Sequence, residues 1–168
     1  DRLATVPEVN TGHPFLDLSV KTGLAFIDAT FQGDHPKYGV KHYAETCHEG
    51  FPPTIIAAVD ALSSWGLNTR AVQLFRYYLA NLVRDDGTLI YRVTSLAELG
   101  QMLHAAALLL ERAGGEGWWT DGFRKLDGIV ERLLALREQA VKDDGLLAGV
   151  PEDDERDDVE PGDDNGDG

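Results

Sequence analysis

The sequence predicts an all-α fold, an antiparallel α-hairpin array of about five helices. Apolar residues recur every three to four positions in five separate segments, which is the period of an amphipathic helix. Proline, glycine and Asp-Gly pairs mark where these segments begin and end. Residues 88–94 could form one short extended stretch, and no other segment alternates like a strand. We expect the array to cover residues 1–142, and a truncated acidic loop or insertion to cover residues 143–168.

The first two predicted helices are separated by a long connection. The first starts near His13. The second starts at Pro52-Pro53, because proline is tolerated in the first helical turn, and it ends at Gly66. Their apolar stripes are Val20, Leu24, Ile27 and Phe31 in the first helix, and Ile55, Val59 and Leu62 in the second.

The third and fourth helices have clear end signals. The third starts at Asn68, a good N-cap, and Asp85-Asp86-Gly87 stops it. The fourth opens with the capping box Ser95-x-x-Glu98, in which each side chain can accept the other residue's backbone N–H. Gly114-Gly115 closes it. The stripes are Val72, Phe75, Leu79 and Leu82 in the third helix, and Leu99, Met102, Leu103, Ala106 and Leu110 in the fourth.

The lengths of the connections predict which end of the array carries the function. The fifth helix starts near Thr120, so the second-to-third and fourth-to-fifth joints are short. The long connections are residues 32–51, residues 85–94 and everything after residue 142. Helices joined by short turns are antiparallel, so all three long connections should emerge at one end. Long loops in a compact domain are usually functional. The stripe predicted for the fifth helix is Phe123, Leu126, Val130, Leu133 and Leu134.

Charge and hydropathy exclude two classes of partner. The net charge is −14, of which −11 falls in residues 143–168. Such a field repels nucleic acid and anionic membranes, so we expect neither as a partner. The sequence has no apolar run of the ~20 residues that a membrane span needs, and no signal peptide. We therefore expect a soluble protein, with the cytoplasm favoured over export.

The long connections carry side chains that suit carbohydrate. Aromatic rings stack on sugar faces, while carboxylates, imidazoles and guanidinium groups hydrogen-bond to hydroxyls. Glycoside hydrolysis requires two carboxyl groups on either side of the scissile bond. Carboxylates from separate loops at one end could supply them. The polar and aromatic residues are Tyr43, His48, Glu49 and Phe51 in the first connection, Asp86, Tyr91 and Arg92 in the second, and Glu152 and Asp154 in the third.

Metal and thiol chemistry are weaker alternatives, and we predict no metal site from them. His35, His42, Cys47 and His48 are zinc-ligand types, but they lack the spacing of a zinc motif. Cys47 beside His48 does not by itself form a catalytic dyad. Calcium is the one cofactor left open, because Asp163-x-Asn165-x-Asp167-Gly168 matches the first six positions of an EF-hand-type loop.

Three stretches resemble the six-hairpin glycosidase superfamily, the (α/α)6 toroids of glucoamylases, trehalases and bacterial rhamnosidases. They are the stretches from His48 to Pro53, from Asp86 to Arg92, and Gly145-Leu146-Leu147-x-Gly149-x-Pro151-Glu152-x-Asp154. The resemblance covers most of residues 13–156. It implies a toroid in which the long-loop face binds sugar and cleaves a glycosidic bond.

The resemblance also implies roles for individual residues. Glu152 and Asp154, followed by Glu49, are the candidate catalytic carboxylates. The candidates for contacts with the substrate are His48, Tyr91, Arg92, Tyr43 and Phe51. A complete toroid has twelve helices and this sequence predicts about five. We therefore expect the remaining half of the toroid, or another copy, as a partner beside the saccharide substrate, and no turnover by these helices alone.

Two other functions fit the same sequence. A polysaccharide lyase would need Tyr91, Arg92 or His48 to abstract a proton beside a uronic acid, but acidic loops would repel that substrate. A non-catalytic helical-repeat module would bind a partner through an exposed apolar groove along its helices. The sequence leaves both open, together with the identity of the sugar and the stereochemistry of cleavage.

Overall fold

The computed structural model describes residues 8–33, 35–37, 51–90, 96–114, 117 and 120–143 of the 168-residue chain. This part of the chain is predominantly helical, which confirms the predicted all-α class. The strands in it are β1 and β2, two residues each, which pair antiparallel after the first helix. The elements are α1 (Pro14–Thr30), β1 (Phe31–Gln32), β2 (His35–Pro36), α2 (Pro52–Ser64), α3 (Asn68–Leu82), α4 (Leu96–Ala113), a 3-10 turn (Thr120–Gly122) and α5 (Phe123–Asp143).

Helices α2, α3 and α4 pack together, and a polar cluster fixes their relative directions. The Arg112 guanidinium, in the last turn of α4, donates to the Ser63 and Ser64 hydroxyls at 2.9 and 3.0 Å. It also lies 3.3 Å from Asp60. The Asn68 amide, at the start of α3, donates to the Arg112 carbonyl at 3.0 Å. The C-termini of α2 and α4 therefore meet the N-terminus of α3, and we call this the turn end.

The opposite end of these three helices is the loop end. Because α2 and α4 run in the same direction and α3 runs against them, the loop end gathers the start of α2, the end of α3 and the start of α4. The turn end closes tightly, since Gly66 adopts a φ of 77° that suits glycine and lets the chain reverse into α3. The predicted hairpin of α2 and α3 is therefore confirmed.

Asn68 does not cap α3 as predicted. The helix begins at Asn68 itself, and the capping position before it belongs to Leu67, which offers no side-chain acceptor. The Asn68 amide instead bonds to α4. The Asn68 side chain, which the local sequence assigns to the cap of α3, is therefore used in the contact between α3 and α4. Ser95, half of the predicted capping box of α4, lies outside the described residues.

The apolar core lies between α2, α3 and α4 and extends to α5. Most predicted stripe positions are buried, but Phe123, Val130 and Leu134 of α5 and Leu110 of α4 are exposed. In each of those two helices a neighbour one position away faces the core instead, Ile129 in α5 and Leu109 in α4. Both helices carry a wider apolar arc than the core covers, so the period alone did not identify the buried side. The core cluster includes Ile55, Val59, Leu62, Leu74, Phe75, Tyr78, Leu79, Leu99, Met102, Leu109, Leu126 and Ile129.

Helix α1 packs differently from the other helices. Of its predicted stripe, Leu24 is buried, while Ile27 and Phe31 pack on the core with part of their surface exposed. Its polar connection to the body is Arg70, whose guanidinium lies 3.3 Å from the Asp28 carboxylate and 4.1 Å from the centre of the Phe31 ring. The same group donates to the Gly33 carbonyl at 3.2 Å. One arginine of α3 therefore holds the end of α1 and the turn after it.

Replacing Arg70 should loosen this attachment. The Arg70 side chain is 16% exposed, and hydrogen bonds to charged groups are worth about 1.5–3 kcal/mol each. We expect Arg70→Met, which keeps the apolar stem, to lower the free energy of unfolding by about 2–3 kcal/mol. Chemical denaturation measures it.

The matched control is Arg124→Met. Arg124 also pairs with an aspartate, at 3.5 Å, but its side chain is 81% exposed. Exposed pairs contribute about 0–1 kcal/mol, so this variant should behave almost like the wild type. Equal losses in the two variants would contradict the role assigned to Arg70.

The first long connection does not start at the loop end as predicted. Residues 31–33 and 35–37 lie along α3: Gly33 contacts Arg70 in its first turn, and the His35 ring stacks on Tyr77 in its second half with centroids 3.9 Å apart. The prediction assumed that α1 runs antiparallel to α2, which would place the C-terminus of α1 at the loop end. The C-terminal part of α1 instead meets the first turn of α3, at the turn end. Residues 38–50 lie outside the described residues.

No helix in the described part of the chain is long and apolar enough to cross a membrane.

Candidate functional site

The best-defined part of the loop end is the turn that follows α3. The Thr88 carbonyl accepts the Arg84 N–H at 2.8 Å, and the Gly87 N–H donates to the Arg84 carbonyl at 3.0 Å. The Ile90 N–H then donates to the Leu82 carbonyl at 2.7 Å. Val83 and Leu89 form a single antiparallel bridge, and both are buried. These bonds fold the chain back on the end of α3, so residues 84–90, which we call the anchored turn, have a fixed backbone.

Asp86 shapes the anchored turn. Its carboxylate accepts the Thr88 backbone N–H at 2.9 Å, which is the geometry of an Asx turn. This hydrogen bond is the main reason why the pKa of Asp86 lies below its ordinary value of 3.8. The nearby charges of Arg132 and Arg84 lower the pKa further. Sequence analysis grouped Asp86 with the polar residues of the long connections. In the structure its carboxylate stabilises the anchored turn by this hydrogen bond.

The lowered pKa predicts how acid affects the turn. A carboxyl group whose pKa is depressed by folding stabilises the fold above its unfolded pKa, and this contribution is lost as pH falls through the folded pKa. We expect an NMR titration of the Asp86 carboxyl to show a midpoint below 3.8. A peptide of residues 82–92 is the control and should titrate at the ordinary value. Equal midpoints would contradict the hydrogen bond.

Helix α5 supports the anchored turn through a contact between two glycines. A Cβ on Gly128 would lie 2.5 Å from the Asp85 carbonyl oxygen and 2.7 Å from the Gly87 nitrogen. A Cβ on Gly87 would overlap the backbone of Gly128 and Ile129. Gly87 also has a φ of 78°, a conformation that favours glycine. The two backbones therefore touch where any larger residue would keep them apart.

Polar side chains of α5 complete this support. The Lys125 ammonium donates to the Leu79 and Ala80 carbonyls, at 2.6 and 2.9 Å. A cation suits the negative end of the α3 dipole. The Arg132 guanidinium lies 3.3 Å from the Thr88 hydroxyl. Sequence analysis missed Gly128 and Lys125, although a glycine in the middle of a helix is a usable signal for close packing.

Most of the predicted site residues lie outside the part of the chain that the structure describes. Phe51 is the exception: it lies half-buried directly before α2, at the loop end. The structure therefore brings together Phe51 and the anchored turn as features of one end, and it tests no other member of the predicted set. The predicted residues outside the described ranges are Glu49, Glu152 and Asp154 for catalysis, His48, Tyr91, Arg92 and Tyr43 for substrate, and Asp163, Asn165 and Asp167 for calcium.

The loop end has a defined electrostatic character. The N-termini of α2 and α4 carry the positive ends of their helix dipoles there. Asp85 and Asp86, both exposed, place carboxylates at the same end. Exposed carboxylates and the half-buried ring of Phe51 can contribute hydrogen bonding and stacking to an uncharged polar ligand.

Among the described residues, no three His, Cys, Asp or Glu side chains form a group that could hold a metal ion. Comparison with protein-family models gives no match to the chain. Curated proteins and solved structures likewise give no significant match.

Proposed function

We propose that the chain is the helical array of a carbohydrate-active enzyme of the glycoside hydrolase type, related to the six-hairpin glycosidases. The observation that carries the proposal is the loop end itself. The starts of α2 and α4 and the anchored turn after α3 meet there. In the sequence, two residues separate His48-Glu49 from the start of α2, and Tyr91-Arg92 follows the anchored turn directly.

Rigid attachment of these entry and exit points supports the proposal. Pro52 is buried at the start of α2, and Leu89 is buried at the end of the anchored turn. Functional groups act with precision when rigid elements hold the segments that carry them. In this proposal His48 and Glu49 reach substrate from the start of α2, while Tyr91 and Arg92 reach it from the anchored turn.

The proposed chemistry is acid-assisted cleavage of a glycosidic bond. One carboxylic acid protonates the leaving oxygen, and a second carboxylate acts as a nucleophile or activates water. Glu152 and Asp154 are the first candidates and Glu49 is the third. Phe51 would stack on a sugar face, and Tyr43, His48, Tyr91 and Arg92 would bond to sugar hydroxyls. The array of a (α/α)6 toroid would require further helices to close the ring, and those helices could supply the second carboxylate.

Turnover and binding of a saccharide panel test the proposal. The panel should contain neutral oligosaccharides and uronic-acid oligosaccharides, since a hydrolase of this type and a lyase prefer different members. Cleavage of a neutral member by the full-length protein, with water added across the bond, would support the proposal. Cleavage of a uronic-acid member to an unsaturated product would favour the lyase.

A helical interaction module is a second candidate, and one observation favours it. Seven of the nine exposed large apolar side chains recorded for the described residues lie on α1 and α5. A binding module would use such surfaces, whereas a hydrolase would use the loop end. The two candidates therefore place the functional surface on different parts of the molecule.

A further inference from the structure

Helix α1 has a second apolar face, which is turned away from the body of the protein. Phe15 is 76% exposed, Leu18 is 61% exposed and Phe26 is 68% exposed. They lie at helical spacing, so they share one face. We call this face the α1 outer face; its members are Phe15, Leu18, Ser19, Thr22, Ala25, Phe26 and Ala29, and all of them are exposed.

The charged residues of α1 are not members of this face. Lys21 is exposed at its border, between Leu18 and Ala25, where its ammonium group can remain in water. Asp28 turns toward the body and pairs with Arg70. Asp17 accepts hydrogen bonds from the Thr11 backbone N–H and hydroxyl, at 2.9 and 2.8 Å. A surface helix normally directs its polar side to solvent. In α1 two sides are apolar, and one of them packs on the core through Leu24 and Ile27. The seven residues of the outer face include no charge, in a chain of which 26% is charged.

We propose that the α1 outer face pairs with the same face of a second copy of this chain. The charge pattern favours this occupant. In a symmetric pair, identical residues meet near the two-fold axis, so any charge on the face would meet its own sign. The α1 outer face has none, which lets two chains of net charge −14 approach there without a local repulsion.

The available area is consistent with a weak pair. In each copy Phe15 and Phe26 could together remove roughly 300 Å² from water, given the size of a phenylalanine side chain. Leu18 and the exposed small residues of the same face bring the area for two copies to on the order of 1,000 Å², the lower limit for a specific interface. The small residues Ser19, Thr22, Ala25 and Ala29 allow the two helix backbones to approach closely. We expect a dissociation constant on the order of 10–100 µM.

Sedimentation equilibrium of the full chain tests the pairing, over concentrations from about 5 to 500 µM around the expected constant. We expect a reversible monomer–dimer equilibrium that strengthens with salt, because salt screens the overall repulsion between the copies. Phe15→Glu with Phe26→Glu should abolish the dimer. Ala25→Arg, which removes no apolar group, should weaken it at least tenfold. Leu110→Glu, at an exposed apolar position of α4, is the control and should leave association unchanged.

Three results would overturn the pairing. The first is a wild-type chain that stays monomeric through the whole concentration range. The second is a dimer that persists in both the phenylalanine and the Ala25 variants. The third is equal weakening by Leu110→Glu. Circular dichroism of each variant should show the wild-type helix content. Loss of the dimer can then be attributed to the change in the α1 outer face and not to unfolding.

Discussion

Gly128→Ala should destabilise the protein, although alanine is the better helix former. In an exposed helix this substitution stabilises by about 0.5–1 kcal/mol, because alanine loses less conformational entropy than glycine. At Gly128 the new methyl group would lie 2.5 Å from the Asp85 carbonyl oxygen. Overpacking of this kind costs about 1–3 kcal/mol or more. We expect a net loss of about 2–3 kcal/mol in the free energy of unfolding, measured by chemical denaturation.

The partner glycine should be more sensitive still. Gly87→Ala adds the same overlap from the other side, and it also forces alanine into a left-handed backbone conformation at φ 78°. That conformation costs a further ~1–2 kcal/mol. Because both methyl groups would fill one contact, the double variant should cost less than the sum of the two single changes.

Gly100→Ala is the matched control for this contact. Gly100 lies in α4, is exposed, and has no atom within 4 Å of the position of an added Cβ. Alanine there should stabilise the protein by about 0.5–1 kcal/mol. If Gly128→Ala also stabilised the protein, α5 and the anchored turn would not touch as described.

The sequence predicted the helices well because their signals are local. The prolines at residues 52 and 53 start α2, and the glycines at residues 66 and 114 follow the ends of α2 and α4. These signals depend on the conformations that proline and glycine allow, so they can be interpreted without the rest of the chain. The all-α class followed from them.

The tertiary contacts could not be predicted in the same way. Asn68 bonds to α4 instead of capping its own helix. Gly128 contacts Gly87 of the anchored turn, which lies 41 residues earlier in the sequence. Ile129 replaces Val130 on the buried side of α5, since α5 is apolar over an arc wider than its contact. Each outcome depends on how two elements dock, which periodicity does not encode. For the candidate site, the sequence supplied the residue types, and Phe51 is the member that the structure describes.

Loss of a catalytic carboxyl group is the largest functional effect that we expect. Glu152→Gln and Asp154→Asn keep the shape of each side chain and remove its ability to ionise or donate a proton. A positioned general acid or base contributes about 10²–10⁴-fold to the rate. We therefore expect at least one variant to lose about 10²-fold or more in kcat on the preferred saccharide, with a smaller change in KM.

An uninvolved carboxylate from the same acidic segment provides the control. Asp157→Asn changes the net charge by the same amount as Asp154→Asn and lies three residues further along the chain. A general effect of charge would reduce the rate equally in both variants, whereas a catalytic role would affect Asp154 alone. Comparable helix content in all variants would exclude unfolding as the cause.

The most direct test of the proposed function is hydrolysis of the saccharide panel by the full-length protein, with the wild type compared with Glu152→Gln, Asp154→Asn and Asp157→Asn. The proposal predicts that a neutral member is cleaved, that Glu152→Gln or Asp154→Asn abolishes cleavage, and that Asp157→Asn retains it. Absence of binding and cleavage across the whole panel, with the four proteins behaving alike, would contradict the glycosidase and favour the helical interaction module.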